Sequence, residues 1–359
     1  MRYELSPKNT LIVRGPAMVK LLSGQATILG GPFQPNQVKV VVRQKQSPVE
    51  TESHAELEIT LGNSAEIFVI KGSTIPPSWR EAAVTLTQMG EGKVIVLGPP
   101  DVGKSTLCVY LVNKMLQNEA SLRVIDADIG QADIGPPTTV ALAAPTEPIT
   151  SLQELTPDKR LFIGSISPSG VEEKLISSIQ RLSIKGGRLF TIINTDGWVD
   201  GLDATLYKIN LLTHLQPDLV LGLAYSNELE AILGGVRYHA MKIAAAKAAL
   251  ERSRVDRRSL RTDAYRRSLE GAVMRRVDLE KVRLSIPPGL GKVAGSDLRA
   301  LENLIVGILD HEGYLLQIGI LMHLENAEAV IYSRNTVPFH KIEIGYVKLS
   351  TSGKEIGFL

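Results

Sequence analysis

Residues Gly98-Pro99-Pro100-Asp101-Val102-Gly103-Lys104-Ser105-Thr106 have the spacing of a loop that holds nucleotide phosphates. Gly98 and Gly103 let the chain turn so that backbone N–H groups face phosphate oxygens. A helix opening at Lys104 adds positive potential at its N-terminus. In this pattern Lys104 reaches the β- and γ-phosphates and the Ser105 hydroxyl ligates Mg²⁺. The flanks agree. KVIVLG before the loop reads as a buried strand, and Leu107, Cys108, Leu111, Val112, Met115 and Leu116 after it share one helical face.

Holding a terminal phosphate does not say where it goes. Asp126 and Asp128 follow the strand LRVI two residues apart, so an extended chain projects both to one side. One carboxylate there can hold Mg²⁺, and the other can take a proton from an attacking hydroxyl. Asp126 is the candidate for the first task. Asp128, further toward the open end of the strand, is the candidate base. Either could instead cap the turn that follows. A GTPase is disfavoured. Its switch needs Asp and Gly three apart, whereas Gly130 is four residues after Asp126 and two after Asp128, and no Asn-Lys-x-Asp occurs.

Two further features could serve an acceptor. Trp198 follows a strand end and a glycine, in Thr195-Asp196-Gly197-Trp198. A ring in such a loop can stack on a base, worth about 1–3 kcal/mol; by position alone it is as easily a core residue. The stretch RSRVDRRSLRTDAYRR contains Arg252, Arg254, Arg257, Arg258, Arg261, Arg266 and Arg267. As a helix it places Arg254, Arg258 and Arg261 on one face. Arginine's planar fork suits phosphate oxygens. The alternative is a solvated helix with Asp256 and Asp263 as internal partners.

The elements that must position these residues alternate. From Lys93 on, KVIVLG, LRVIDAD, LFIG, RLFTIIN and LVLGLA read as strands, interleaved with the helical VEEKLISSIQRL and GLDATLYKINLLTHL. Such alternation predicts an α/β fold, a central parallel sheet with helices on both faces and ligands beyond the C-terminal strand ends. Residues 1–75 read as short strands cut by Gly and Pro, an N-terminal β-sandwich-like domain. The helix STIPPSWREAAVTLTQMG then opens a P-loop domain over 76–286. Local propensity favours helix through AAAKAALERSR and EGAVMRR. Strands return in LIVGIL, YLLQIGILM, AVIYS and EIGYVKLS, a small β-rich C-terminal domain over 287–359.

Bulk properties bound the function. With 359 residues, the chain is too long for one ordinary core. A net charge of +2 argues against polyanion binding by the whole surface, though not against a local basic site. The lone Cys108 excludes an intramolecular disulfide and suits a reducing cytoplasm. The six histidines show no metal-ligand spacing. No signal peptide or membrane span is expected.

In series, GPPDVGKSTLC, DADIGQ, LFIGSISPSG, NTDGW and the Arg-dense stretch resemble the polynucleotide 5′-hydroxyl kinases, a family with archaeal RNA kinases, a pre-mRNA cleavage-factor subunit and a nucleolar pre-rRNA processing kinase. The resemblance covers most of the chain. It implies ATP and Mg²⁺ as cofactors and the 5′-hydroxyl end of RNA, or also DNA, as acceptor. It gives Gly98 to Thr106 to ATP, Lys104 and Asp128 to catalysis, and Gln131 to the active site beside them. Trp198 would stack on the terminal nucleotide. The Arg-dense stretch would match the lid over the phosphates, with Arg257 and Arg252 the first candidates to touch ATP and Arg258 and Arg261 turned to the RNA. Some members are nucleotide-bound scaffolds without turnover, which remains the rival reading. This chain departs from the family where Thr138 follows Pro137, where AAAKAAL replaces a Gly-containing turn, and at Ser268-Leu269 in place of an aromatic pair.

Overall fold

The computed structural model describes residues 1–183, 189–246, 248, 250–287, 289–291, 298–334 and 338–359. The N-terminal region has nine short strands: β1 (Arg2–Leu5), β2 (Asn9–Arg14), β3 (Ala17–Gly24), β4 (Ala26–Ile28), β5 (Gly31–Phe33), β6 (Val38–Val41), β7 (Gln46–Thr51), β8 (Ala55–Leu61) and β9 (Glu66–Lys71). They form a four-stranded sheet, β1-β8-β3-β6, and a five-stranded sheet, β5-β4-β7-β2-β9. The alternation that makes one face apolar is plain in β8, where Ala55, Leu57 and Ile59 are buried and Glu58 is not.

After them come α1 (Pro77–Met89), β10 (Gly92–Leu97), α2 (Lys104–Gln117), β11 (Leu122–Ala127), β12 (Thr139–Ala143), β13 (Lys159–Phe162), α3 (Glu172–Leu182), β14 (Phe190–Thr195), α4 (Leu202–Leu215), β15 (Leu219–Ala224), α5 (Glu230–Gly234) and β16 (Ala240–Ala244). Pro77 opens α1, where its missing N–H costs nothing, and Gly90 ends it at φ 76°. Then follow α6 (Arg254–Leu269), β17 (Val273–Asp278), β18 (Arg283–Ser285), β19 (Leu304–Leu309), β20 (Leu315–Glu325), β21 (Glu328–Ser333), β22 (Lys341–Leu349) and β23 (Glu355–Phe358).

The chain divides into two compact units. The first comprises Met1–Val124, Ala144–Thr156 and Ser183–Ser253. The second comprises Ile125–Ala143, Pro157–Leu182 and Arg254–Leu359. In the first, β10 pairs in parallel with β14 and with β15, and β15 in parallel with β16. Val94, Ile95, Val96 and Leu97 of β10 are all buried, as a strand covered on both faces requires.

The second unit holds an antiparallel pair, β12 with β13, and a sheet ordered β17-β21-β20-β19-β22-β18 with β23 on β22. Alternate residues of β19 enter two cores. Leu304, Val306 and Ile308 pack with Leu301 and Ile344, while Ile305 and Leu309 pack with Phe162 and Tyr265.

The structure refines the local reading in three places. Ala240–Ala244, which runs into the stretch with helical propensity, is a strand because it gains a parallel partner in β15. Val273–Asp278, which includes VMRR, is a strand paired with β21. The strand at Lys159–Phe162 runs antiparallel to β12, a strand the sequence pattern did not suggest. Of the AAAKAAL stretch, Lys247 and Ala249 lie outside the described residues, as does Pro288 of IPPGLG. Among the described residues no helix is long and apolar enough to cross a membrane.

Candidate nucleotide and acceptor site

The phosphate loop lies in the first unit between β10 and α2. Gly103 caps α2 in the left-handed region at φ 100°, a conformation that a side chain would strain. A Cβ on Gly98 would lie 2.4 Å from the Leu223 carbonyl oxygen, so the loop's start admits only glycine. Lys104 is buried, and its Nζ donates to the carbonyls of Gly98 and Pro99 at 2.9 and 2.8 Å. Its ammonium is therefore held over the loop's own concavity, where phosphate oxygens would compete with those carbonyls.

The end of β14 and the turn after it pack directly against this loop. Asn194 Nδ2 donates to Ser105 Oγ at 3.3 Å, and Thr195 Oγ1 donates to the Val96 carbonyl at 2.8 Å. Gly197 approaches Pro100 so closely that a Cβ would lie 2.8 Å from Pro100 N. The next residue, Trp198, is half-buried; its ring stacks on Tyr207 with centroids 5.7 Å apart and planes 24° off parallel. The indole is thus neither sealed in the core nor loose, and it follows directly in sequence on a glycine-to-proline contact with the phosphate loop.

A buried ion pair fixes that turn. Asp196 Oδ2 accepts from Lys208 Nζ at 2.8 Å and from the Tyr207 hydroxyl at 2.9 Å. Asp196 Oδ1 accepts from the Trp198 N–H at 2.9 Å, and the Asp196 carbonyl accepts from Lys208 at 3.1 Å. The Lys208 side chain is 0% exposed and that of Asp196 6%. Sequence reasoning missed Tyr207, Lys208 and Asn194. A signal for Lys208 was present, since it falls at helical spacing among Ala204, Leu211 and Leu215, the apolar face of α4. A cation on such a face needs a buried partner.

Arg252 also closes on the loop. Its N–H donates to Asp101 Oδ2 at 3.0 Å, its NH1 to Asp101 Oδ1 at 3.3 Å, and its Nε to the Gln44 carbonyl at 3.1 Å. Asp101 itself sits at φ 62°. The guanidinium therefore braces a strained residue of the phosphate loop against the N-terminal β region.

The remaining candidates lie in the second unit. Asp126, at the end of β11, is 1% exposed and accepts from the N–H groups of Asp133 and Ile134 at 2.6 and 3.0 Å, with a longer bond from Asp128 N. Burial, reinforced by the nearby Asp133 carboxylate, raises its pKa to about 7. Asp128 is half-buried, and its Oδ1 accepts from the N–H groups of Gly130 and Gln131 at 3.2 and 2.9 Å. The Gln131 side chain donates back to the Gly130 carbonyl at 2.7 Å.

On α6, Arg261 NH2 donates to Glu355 Oε2 at 2.9 Å, and Arg258 donates to the Glu355 carbonyl. Glu355 is 1% exposed, so these two arginines neutralise a buried carboxylate on β23. Arg257 is half-buried on the same helix.

Comparison with known proteins bears on the phosphate-loop domain and the fold. Residues 98–271 match the family model of the P-loop of mRNA cleavage and polyadenylation factor CLP1. A polyribonucleotide 5′-hydroxyl-kinase of Pyrococcus furiosus is 28% identical, over 74% of this chain and 90% of the relative. The human polynucleotide 5′-hydroxyl-kinase NOL9 is 32% identical over 35% of this chain and 18% of its own length. Clp1p, solved in complex with a segment of Pcf11p, shares the fold with a TM-score of 0.73 over 97% of both chains at 12% identity. The chain carries a CLP1-type P-loop domain, and the archaeal relatives that it resembles over 74% of its length are polyribonucleotide 5′-hydroxyl-kinases.

Proposed function

We infer that this protein transfers the γ-phosphate of ATP to the 5′-hydroxyl end of RNA, with DNA ends as a second acceptor to compare. The observation that carries this reading is the contact of the segment Asn194 to Trp198 with the phosphate loop, through Gly197 on Pro100 and Asn194 on Ser105. A half-buried indole follows directly from a contact with a nucleotide-binding loop, and a stacking surface there suits a nucleic-acid acceptor.

In the reaction the 5′-hydroxyl gives its proton to Asp128 as its oxygen bonds to the γ-phosphorus, and the bond to the β-γ bridging oxygen breaks to release ADP. Two backbone N–H groups on Asp128 Oδ1 fix the carboxylate's direction. Lys104 moves from the Gly98 and Pro99 carbonyls to the phosphate oxygens. We assign Arg257 to the transferring group and Arg252 to bracing the loop through Asp101. Arg258 and Arg261 act on the RNA through the placement of α6 on Glu355, and Gln131 lines the acceptor side of the Asp128 turn.

Ser105 fits a Mg²⁺ ligand: Asn194 occupies one lone pair of its oxygen and a second remains. The ion would supply positive charge to the β- and γ-oxygens. Asp126 is the weaker metal ligand of the two candidates, because its oxygens already accept backbone N–H groups.

The test is incubation with γ-labelled ATP, Mg²⁺ and 5′-hydroxyl oligonucleotides of RNA and DNA. Label is expected on the 5′ ends with wild type and not with Lys104→Ala. ATP bound by the wild type with no label on any end would leave a nucleotide-holding scaffold and refute the kinase reading.

A further inference from the structure

The loop that leaves β13, Ile163 to Gly170, carries most of the LFIGSISPSG motif yet holds none of the residues assigned to phosphoryl transfer. It lies in the second unit, as do the Asp128 turn and β22. Two glycines meet where the loop crosses β22. A Cβ on Gly345 would lie 2.7 Å from the Gly164 carbonyl oxygen, and a Cβ on Gly164, which sits at φ 87°, would lie 2.7 Å from Gly345 Cα. The Tyr346 N–H donates to the Gly164 carbonyl at 2.7 Å. Lys174 Nζ donates to the Ile163 carbonyl at 2.9 Å and to Glu343, whose other oxygen accepts from Lys341 at 3.1 Å. Glu343, Gly345 and Tyr346 of β22 thus hold the first two residues of the loop, directly or through Lys174.

The loop in turn holds the turn that carries Asp128. The Ile163 and Gly164 N–H groups donate to the Thr138 carbonyl at 2.9 and 3.1 Å, and the Thr138 N–H donates to the Ile129 carbonyl at 2.9 Å. A Cβ on Gly130 would lie 2.6 Å from the Ile166 carbonyl oxygen. Ile129 and Gly130 directly follow Asp128, and the Gly130 N–H is one of the donors that aim its Oδ1. Thr138 keeps its place at φ 75°, a region that disfavours a β-branched residue, and its buried hydroxyl lacks a partner among the described residues. The backbone bonds on both sides of Thr138, and not its side chain, hold it there. Every contact from Gly345 to Gly130 is backbone to backbone, so a shift at one end is transmitted and not absorbed by a rotamer change.

We propose that Gly345 and Gly164 are positioning residues for the Asp128 carboxylate. Their close approach sets where the loop lies on β22, and the loop, through Thr138 and Gly130, sets where that carboxylate meets the 5′-hydroxyl. The proposal rests on Asp128 as the base. A methyl group at Gly345 meets the Ile305 side chain and two backbone atoms of the loop, the Gly164 carbonyl oxygen at 2.7 Å and Gly164 Cα at 2.8 Å. Relieving those two backbone contacts moves the loop by about 0.5 Å, and since a misplacement of about 1 Å can cost about 10²-fold, the expected loss in kcat is about tenfold.

Steady-state labelling of a 5′-hydroxyl RNA by the full-length protein measures it. Gly345→Ala is expected to lower kcat about tenfold while KM for ATP and for RNA stays within about twofold. Ile344→Val, at the neighbouring position whose side chain enters the other core, controls for lost stability and should keep kcat. In an Asp128→Asn background Gly345→Ala should lower kcat no further, because the base it places is gone. Gly130→Ala, at a half-buried turn position, meets the Ile166 carbonyl from the other side and should give the same pattern whether or not Gly345→Ala folds. The proposal is overturned if both glycine variants keep kcat within about twofold of wild type, if Ile344→Val loses as much as they do, or if they cost the same factor with and without Asp128. Wild-type kcat in Asp128→Asn refutes the base reading itself and takes the proposal with it, whereas loss in Asp128→Asn beside intact glycine variants refutes the placement alone.

Discussion

Lys208→Met tests whether the buried ion pair sets the position of the Trp198 turn. Methionine nearly matches lysine in length and stays flexible, so packing on the apolar face of α4 is kept and the change is mainly one of charge. The substitution removes the bonds from Nζ to Asp196 Oδ2 at 2.8 Å and to the Asp196 carbonyl at 3.1 Å. With side chains 0% and 6% exposed, no water takes lysine's place, and Asp196 is left as an uncompensated buried charge. Breaking such a pair from one side costs about 3–5 kcal/mol. The Tyr207 hydroxyl still donates to Asp196 Oδ2, which puts the expectation at the lower end, about 3 kcal/mol.

That is a large share of the roughly 5–15 kcal/mol that holds a domain together, yet it leaves a folded protein to assay. Urea unfolding followed by circular dichroism and by tryptophan emission measures it. Emission is informative because the chain has only Trp79 and Trp198. The double variant Lys208→Met/Asp196→Asn removes the stranded charge and should recover at least about 2 kcal/mol of the loss. KM for oligonucleotide should rise in the single variant while ATP affinity is kept. A single variant within about 1 kcal/mol of wild type, or a double variant no better than the single, would refute the reasoning.

Three further outcomes are expected. Asp128→Asn should lower kcat about 10²–10⁴-fold with little change in ATP affinity, measured by steady-state labelling of a 5′-hydroxyl RNA. Trp198→Ala should weaken oligonucleotide binding by about 1–3 kcal/mol and do so alike for all four terminal bases, measured by fluorescence anisotropy. Asp126 has its folded-state pKa raised to about 7, so the folded protein retains a proton that the unfolded chain loses near pH 4. Its contribution to stability is therefore full below about pH 4 and falls as pH rises toward about 7, by up to about 1.4 kcal/mol per pH unit. Asp126→Asn should flatten that slope in urea melts taken across the window.

The phosphate loop was legible because its whole specification is contiguous, glycines, lysine and hydroxyl within one strand-to-helix turn. At Asp128 the local pattern left two readings open, and the turn-capping one is what the hydrogen bonds to Gly130 and Gln131 display, while the role of base depends on an acceptor that no local pattern describes. Residues whose partners are distant in sequence were not legible. Glu355 lies 94 residues from Arg261, and no local pattern joins them. An arginine-rich helix therefore read as a phosphate lid, although two of its arginines are committed to one buried carboxylate. Ala240–Ala244 was obscured in another way. It runs into an alanine-rich segment that favours helix in isolation, and only the parallel partner β15 makes it a strand. Lys208 stands between these cases, detectable as a charge on an apolar helix face but with its partner unnamed.

Five consecutive residues at and just beyond the end of β14 each have a separate duty. Asn194 meets Ser105, Thr195 ties to β10, Asp196 takes the Lys208 ammonium, Gly197 lies against Pro100, and Trp198 stacks on Tyr207. The separation between the phosphate loop and the indole is consequently set by backbone contacts and a buried ion pair, with no freely rotating link in between. With the indole as the proposed stacking surface, a rigid separation of this kind would select an acceptor by the distance from its hydroxyl to its first base, since an indole can stack on any base. Any residue larger than glycine at Gly197 would push the turn off Pro100 and lengthen that distance. Such a change should cost acceptor use well before it costs ATP binding, because the groups placed on ATP, Lys104 and Ser105, belong to α2 and not to the turn.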